Sequence, residues 1–253
     1  MTLGAAVRDG GMGVGPNMNV LEVEGLTRRF GGLVAVNQVS FAVQRGAILG
    51  LIGPNGAGKS TLFSMIAGEQ RPSGGRIRFD GRDVTGWTAH RAAAAGVGRT
   101  FQLMRVFGSM TVLENLVTAA HLRHRSTRAA RRVAEAVCAE LDLGGIAHHQ
   151  AGKLTAASKK RLEMGRALAT EPTLLLLDEV LSGLTPTESR EATQIVRAIN
   201  DRGITIVMVE HVMEVVMSLC HHLVVLDFGE KIFEGTPEVA VRDPAVLEAY
   251  LGT

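Results

Sequence analysis

The sequence predicts an α/β fold, a parallel-sheet core interrupted by a helical insertion. Three observations carry this prediction. Residues 47–52 form a short apolar run without alternation, which suits a strand buried on both faces, and they lead into a glycine-rich loop. Residues 173–177 and 204–209 are further apolar runs with a helical stretch over 187–200 between them, and strand, helix, strand is the pattern of a parallel sheet. From about 88 to 171 the pattern turns largely helical. No internal repeat breaks this scheme, so the chain reads as one interrupted core and not as two independent domains.

Taken in order, residues 1–18 carry Gly4, Gly10, Gly11, Gly13 and Gly15 and read as a flexible leader. Structure is expected to begin near Val20, where residues 20–24 alternate as a strand does. A second strand is expected over 39–43, between the turn-prone Gly31-Gly32 and Gly46. The run at 47–52 is followed by a helix over about 60–68. Residues 127–141 place Ala130, Val133, Val137 and Leu141 on one helical stripe, with Arg128, Arg131, Arg132 and Glu135 opposite. Thr185-Pro186-Thr187-Glu188 offers an N-cap and an early proline for the 187–200 helix. A last strand is expected over 223–226.

Composition narrows the function classes. The 253 residues include 27 Lys+Arg and 25 Asp+Glu, a net charge of +2, too balanced for nucleic-acid binding by bulk charge. Aromatics are 4%, too few for base stacking as the main activity. With 46% apolar and 21% charged residues the chain is ordinary globular material. No run of ~18 apolar residues is present; the best stretch, 204–217, is broken by Glu210, His211 and Glu214. The first 19 residues lack the apolar segment of a signal peptide. Cys138 and Cys220 sit among apolar residues and are expected to be reduced, buried thiols.

Gly53-Pro54-Asn55-Gly56-Ala57-Gly58-Lys59-Ser60 fits G-x-x-x-x-G-K-[ST] at every fixed position, after a buried strand and before a helix. Glycines let backbone N–H groups curl around phosphate oxygens without Cβ clashes. The helix presents its positive end to the same phosphates. Lys59 supplies a point charge to the β and γ phosphates, and Ser60, with Thr61 beside it, a hydroxyl for Mg²⁺. A second motif follows: four leucines, then Asp178-Glu179. Asp178 suits Mg²⁺ held through water, and Glu179 suits an attacking water at the γ-phosphate. ATP and Mg²⁺ are the implied cofactors.

With both motifs in place, the chain from Val20 onward resembles the ATP-binding subunit of an ABC transporter. Arg99-Thr100-Phe101-Gln102 looks like the loop whose glutamine meets Mg²⁺ and senses the membrane subunit. Leu154-Thr155-Ala156-Ala157-Ser158 occupies the signature position, which in the family contacts ATP on the partner subunit. Ser182-Gly183-Leu184-Thr185 resembles the loop that crosses the dimer interface. His211 stands where the family places a switch histidine that binds the γ-phosphate. Phe30 lies where an aromatic stacks on adenine, although a core phenylalanine satisfies the sequence equally. The segments around 98–116 and 226–252 look like the ATPases of branched-chain amino-acid importers.

The resemblance implies a P-loop NTPase (RecA-like) core with an antiparallel β subdomain and an inserted α-helical subdomain. It places the nucleotide-binding domain at 19–253: core about 19–87 and 166–235, helical subdomain about 88–165, and tail 236–253. It implies a second ABC ATPase subunit in a homo- or heterodimer, integral membrane permease subunits, a solute-binding protein, and a peripheral position on the cytoplasmic face of the membrane. No nucleic-acid partner is expected. The groove near Gln102 and the segment 103–111 would meet the membrane subunits. A lipid or lipopolysaccharide exporter ATPase, a soluble non-transport ABC ATPase and a non-hydrolysing regulator remain alternatives.

The signature departs from the family's pattern. Thr155 replaces the usual serine, Ala157 a glycine and Ser158 a glutamine, while Thr185 stands where the crossing loop often has aspartate or asparagine. Ala157 is expected to obstruct the partner's phosphate or to forbid a glycine-only conformation. Lys159, Lys160 and Arg161 follow at once, as anion attractors or as a solvated helix face. Residues 121–132 hold five arginines and two histidines, either a solvated helix face or a contact for anionic lipid headgroups. His148, His149, His221 and His222 have no metal-like spacing and read as surface residues.

Overall fold

The computed structural model describes residues 19–101 and 105–251; the expected leader and Gln102 lie outside them. Two sheets organise the chain. The first is antiparallel, in the order β2-β1-β4-β5, from β1 (Asn19–Phe30), β2 (Leu33–Gln44), β4 (Gly74–Phe79) and β5 (Arg82–Asp83). The second has six strands in the order β10-β9-β3-β8-β7-β6: β3 (Ile48–Ile52), β6 (Val97–Arg99), β7 (Leu174–Asp178), β8 (Thr205–Val209), β9 (His222–Asp227) and β10 (Glu230–Gly235). In the second sheet β6, β7, β8, β3 and β9 run parallel, and β10 returns antiparallel to β9.

The helices are α1 (Lys59–Ile66), α2 (Ala89–Ala95), α3 (Val112–Ala120), α4 (Thr127–Glu140), α5 (Ala156–Leu168), α6 (Pro186–Asp201), α7 (Met213–Leu219), α8 (Pro237–Ala240) and α9 (Pro244–Leu251). The apolar runs without alternation are explained by two cores, one on each face of the parallel sheet. Leu49, Leu51, Leu174, Leu176, Val207 and Val209 join α1 and the antiparallel sheet. Ile48, Ile52, Leu175, Leu177, Ile206 and Met208 join the cluster that includes residues of α3 to α7. Both faces of each strand are buried, so both carry apolar residues.

Several boundaries differ from expectation. The second strand runs over Leu33–Gln44, well beyond 39–43, because its first half is mostly exposed or half-buried and the amides Asn37 and Gln38 interrupt the alternation. The region expected to be helical contains β6, three residues long with Gly98 at its centre, too short to show a period. Gly98 is nonetheless close-packed: a Cβ there would lie 3.0 Å from Pro172. In α4, Ala130, Ala134, Val137 and Cys138 are buried, and the arginine face is exposed as expected. Thr185 caps α6 with a full capping box to Glu188. Cys138 and Cys220 are free and buried, and burial pushes the Cys220 thiol up to about 12.

Candidate functional site

Register assembles the site. Leu51 of β3 pairs with Val209 of β8, and Val209 pairs with Asp178 of β7, so one row crosses three parallel strands. Just beyond that row lie Gly53, Glu179 and the pair Glu210-His211. All reach the carboxyl edge of the sheet, the edge at which open α/β folds bind ligands.

The glycines of the phosphate loop answer to specific neighbours. Gly58 has φ +97°, and a Cβ there would lie 2.4 Å from the Ala35 carbonyl oxygen. At Gly53 a Cβ would lie 2.1 Å from the Leu226 carbonyl oxygen. The Gly229 N–H, in the turn after β9, donates to Ala57 O at 3.1 Å. Lys59 Nζ donates to Gly53 O at 2.6 Å and Pro54 O at 2.8 Å. Burial pushes the Lys59 pKa down, and the Glu179 and Asp178 carboxylates pull it back up. The first helical bond of α1 runs from Leu62 N–H to Gly58 O, so the N–H groups of Lys59, Ser60 and Thr61 lead the helix. Asn55, Gly56 and Ser60 are exposed, with Pro54 and Thr61 partly so.

Asp178 is the last residue of β7 and is 4% exposed. Its Oδ2 accepts from Arg99 Nη2 at 3.3 Å, and its N–H donates to Thr100 Oγ1 at 2.9 Å. Its Oδ1 is buried without a hydrogen-bond partner. Burial raises the Asp178 pKa, with Arg99 opposing that rise. An orphaned carboxylate oxygen at the sheet edge that also carries the phosphate loop is a donor that fits Mg²⁺, which takes one or two carboxylates plus substrate phosphates. Glu179 follows in the left-handed region at φ +49°, with its N–H donating to Val209 O at 3.0 Å. Such conformations cost of order 1–3 kcal/mol and are held by their surroundings.

The signature residues lie at the start of α5. Thr155 is its N-cap, and its hydroxyl accepts from the Ser158 N–H at 3.2 Å and donates to Ser158 Oγ at 3.1 Å. Leu154 packs against the core, Ala156 is exposed and Ala157 is partly buried. Ala157 lies in regular helix and has no left-handed φ, so the expected glycine-only conformation is absent. The basic residues also differ from the anion-attractor expectation. Lys160 turns inward and donates to the carbonyls of Glu179, at 3.2 Å, and Ser182. Arg161 pairs with Glu191.

His211 is exposed, two residues past β8. Phe30 ends β1 at 42% exposure, with the Arg28 guanidinium 4.5 Å from its ring centroid, which excludes the core reading. His148, His149 and His221 are exposed, and His221 Nδ1 also accepts from Ile48 N–H at 2.9 Å.

Sequence reasoning missed three groups. Glu210 is 1% exposed and accepts from Leu181 N–H at 3.0 Å; burial raises its pKa. Glu163 of α5 is buried and accepts from the N–H groups of Phe101 and Arg105, each at 3.3 Å. Tyr250 of α9 lies by the backbone of Gly53, and burial of its hydroxyl raises its pKa. None has a local motif, because each acts on a segment distant in sequence.

The comparisons agree with this geometry. The family model for ABC transporters matches residues 36–182. That for the branched-chain amino acid ATP-binding cassette transporter matches residues 230–253. The chain is 40% identical over 250 residues to the high-affinity branched-chain amino acid transport ATP-binding protein BraF of Pseudomonas aeruginosa, covering 92% of this chain and 98% of that one. It is 32% identical to the lipopolysaccharide export system ATP-binding protein LptB of Haemophilus influenzae, covering 93% and 98%. The ADP conformation of MJ1267, an ATP-binding cassette of an ABC transporter, superposes with a TM-score of 0.84 at 31% identity, covering 94% of this chain and 100% of that one. The motifs, the sheet edge that gathers them and these matches coincide: the chain belongs to the ABC transporter family, as one of its ATP-binding, ATP-hydrolysing subunits.

Proposed function

We propose that this subunit powers uptake of branched-chain amino acids, or of a related small solute, through permease subunits that it meets from the cytoplasmic face. The observation that carries the reading is the gathering of Lys59, Asp178, Glu179 and His211 at one sheet edge in a chain whose residues 230–253 match the branched-chain amino acid family model. The loop from Gly53 to Thr61 wraps the phosphates, and Lys59 leaves its two carbonyls for them. Phe30 offers its exposed ring to adenine. Ser60, Asp178 and Gln102 would hold Mg²⁺, which would supply positive charge to the phosphates. Glu179 polarises the attacking water, and His211 holds the γ-phosphate in line. Leu154, Thr155, Ala156, Ala157 and Ser158 face the ATP of a second ATPase subunit.

A groove of about 410 Å³ lies between the core and the helical insertion, lined by Glu69, Arg99, Phe101, Phe107, Glu163 and Arg166 among others. We assign it to the permease, fed by a solute-binding protein. Mg²⁺-ATP hydrolysis by the purified chain beside Glu179→Gln tests the enzyme. Labelled leucine uptake in cells lacking the chain tests the solute. Uptake restored by the wild type and not by Glu179→Gln supports the reading; normal uptake without the chain overturns the solute assignment. The likeness to LptB makes an exporter ATPase the second reading, and a lipopolysaccharide transport defect in the same cells would favour it.

A further inference from the structure

Arg99 ends β6 and belongs to two places at once. On one side it touches Asp178; on the other it lines the groove between the core and the helical insertion. Its guanidinium is a planar fork whose donors have fixed directions. Nη2 reaches Asp178 Oδ2 at 3.3 Å. Nη1 reaches Glu69 Oε2 at 2.8 Å and Ser64 Oγ at 3.3 Å. Nε donates to Thr100 O at 3.3 Å. The rings of Phe63 and Phe101 lie 5.6 and 5.3 Å from its Cζ. The side chain is only 11% exposed. With every edge engaged, it cannot rotate without losing charged hydrogen bonds.

This grip engages one oxygen of the Asp178 carboxylate and leaves the other. Oδ2 is held by Arg99, while Oδ1 is the buried oxygen with no hydrogen-bond partner. Thr100, the next residue, accepts the Asp178 backbone N–H. A two-residue segment therefore holds both the main chain and the side chain of the aspartate. Glu69 and Phe101, which hold the other edges of Arg99, are groove residues.

We propose that Arg99 is a positioning residue for Mg²⁺, presenting Asp178 Oδ1 to the ion, and that it links the contents of the groove to the metal carboxylate. The proposal rests on the assignment of Mg²⁺ to Asp178 made above. It adds a route from the docking groove to the metal that does not pass through Gln102.

The test is ATP affinity, measured in EDTA and again in excess Mg²⁺, in a Glu179→Gln background that stops hydrolysis. The ratio of the two affinities reads the metal's contribution without turnover. Removing a group that orients a metal ligand typically costs 10–100-fold in metal affinity, so Arg99→Met is expected to lower the ratio ~10-fold. Affinity in EDTA should stay close to that of the parent. Arg99→Lys keeps the charge but cannot serve Glu69 and Asp178 together, so its ratio falls less. Glu69→Gln frees the groove end of the fork, and its ratio also falls, by less than that of Arg99→Met.

An unchanged ratio in Arg99→Met overturns the proposal. So does a raised ratio, which would mean that the guanidinium merely repels the ion. Equal losses in EDTA and Mg²⁺ would reduce Arg99 to a structural role and likewise overturn it. If Arg99→Met does not fold, Arg99→Lys decides. An unchanged ratio in Glu69→Gln removes the link to the groove. A parent with no Mg²⁺ enhancement overturns the metal assignment itself, an outcome distinct from failure of the variants alone.

Discussion

The phosphate loop and the signature turn each end in the start of a helix, yet they are built on opposite plans. The phosphate loop enters α1 through Gly58 in the left-handed region, with no side chain capping the helix. The signature enters α5 through Thr155 in the extended region, and Thr155 satisfies the Ser158 N–H itself. One helix start leaves its leading N–H groups to a ligand; the other uses a side chain to satisfy one of its own. The difference teaches that a helix N-terminus is an anion site only to the extent that its own caps leave it open. For Thr155 to meet a phosphate on another subunit, its hydroxyl must share or surrender the bond to Ser158.

The largest expected effect lies on the phosphate-loop side. Glu179→Gln should lower steady-state Mg²⁺-ATP turnover at least ~10²-fold, the scale of a lost general base, while ATP binding persists. Turnover within tenfold of the parent would move the water-activating role elsewhere. Gly58→Ala places a methyl against the Ala35 carbonyl at a left-handed φ, so thermal unfolding should show a loss of about 1–3 kcal/mol and ATP binding should fall with it. On the signature side the effects shrink. Thr155→Ala should cost about 1 kcal/mol through the lost cap, and its melting temperature should fall by roughly 3 °C. Ala157→Gly should cost at most ~1 kcal/mol in stability, since alanine suits a helix there. Its turnover should rise several-fold if the methyl crowds phosphate; unchanged turnover would mean that the altered signature is tolerated.

The smallest effect concerns Glu210, which holds Leu181 near the turn that Lys160 ties to α5. Burial raises its folded-state pKa above the ordinary carboxylate value of about 4.3, so the native state binds its proton more tightly than the unfolded chain does. That group therefore favours folding most at low pH, and the benefit is lost as pH rises through the folded-state pKa. Glu210→Gln keeps an oxygen for the Leu181 N–H without the buried charge. Its melting temperature should rise by about 1–3 °C at neutral pH, a gain that disappears near pH ~4. A melting temperature below that of the parent at neutral pH would show that electrostatic attraction to Lys160 outweighs the burial of Glu210.

Much of the nucleotide edge was legible because local chemistry demands local residues. A turn that touches carbonyls from β2 and β9 needs glycine at Gly58 and Gly53, and the strands under it need apolar residues on both faces. The exposure of Phe30 was not legible, because an aromatic at a strand end looks the same against solvent or core. β6 escaped detection because three residues carry no period. Arg99, Glu163 and Glu210 escaped for another reason. Their partners lie 79, 62 and 29 residues away in sequence, and only the fold brings them within reach. The inward turn of Lys160 is of the same kind.

The position of β6 has a consequence for how such a machine can be altered. Val97–Arg99 pairs directly with Leu174–Leu176, so the chain leaves the sheet and re-enters it on neighbouring strands about 4.8 Å apart. Everything between those two strands, including α3, α4 and α5, hangs on a pair of adjacent exit points. Because Lys160 of α5 donates to the carbonyls of Glu179 and Ser182, α5 belongs with the strand that carries Asp178, and α3 and α4 are the part of the segment that a graft could replace. The helical arm is in that sense a cartridge with one fixed wall: α3 and α4 form the exchangeable side, and α5 stays with the sheet.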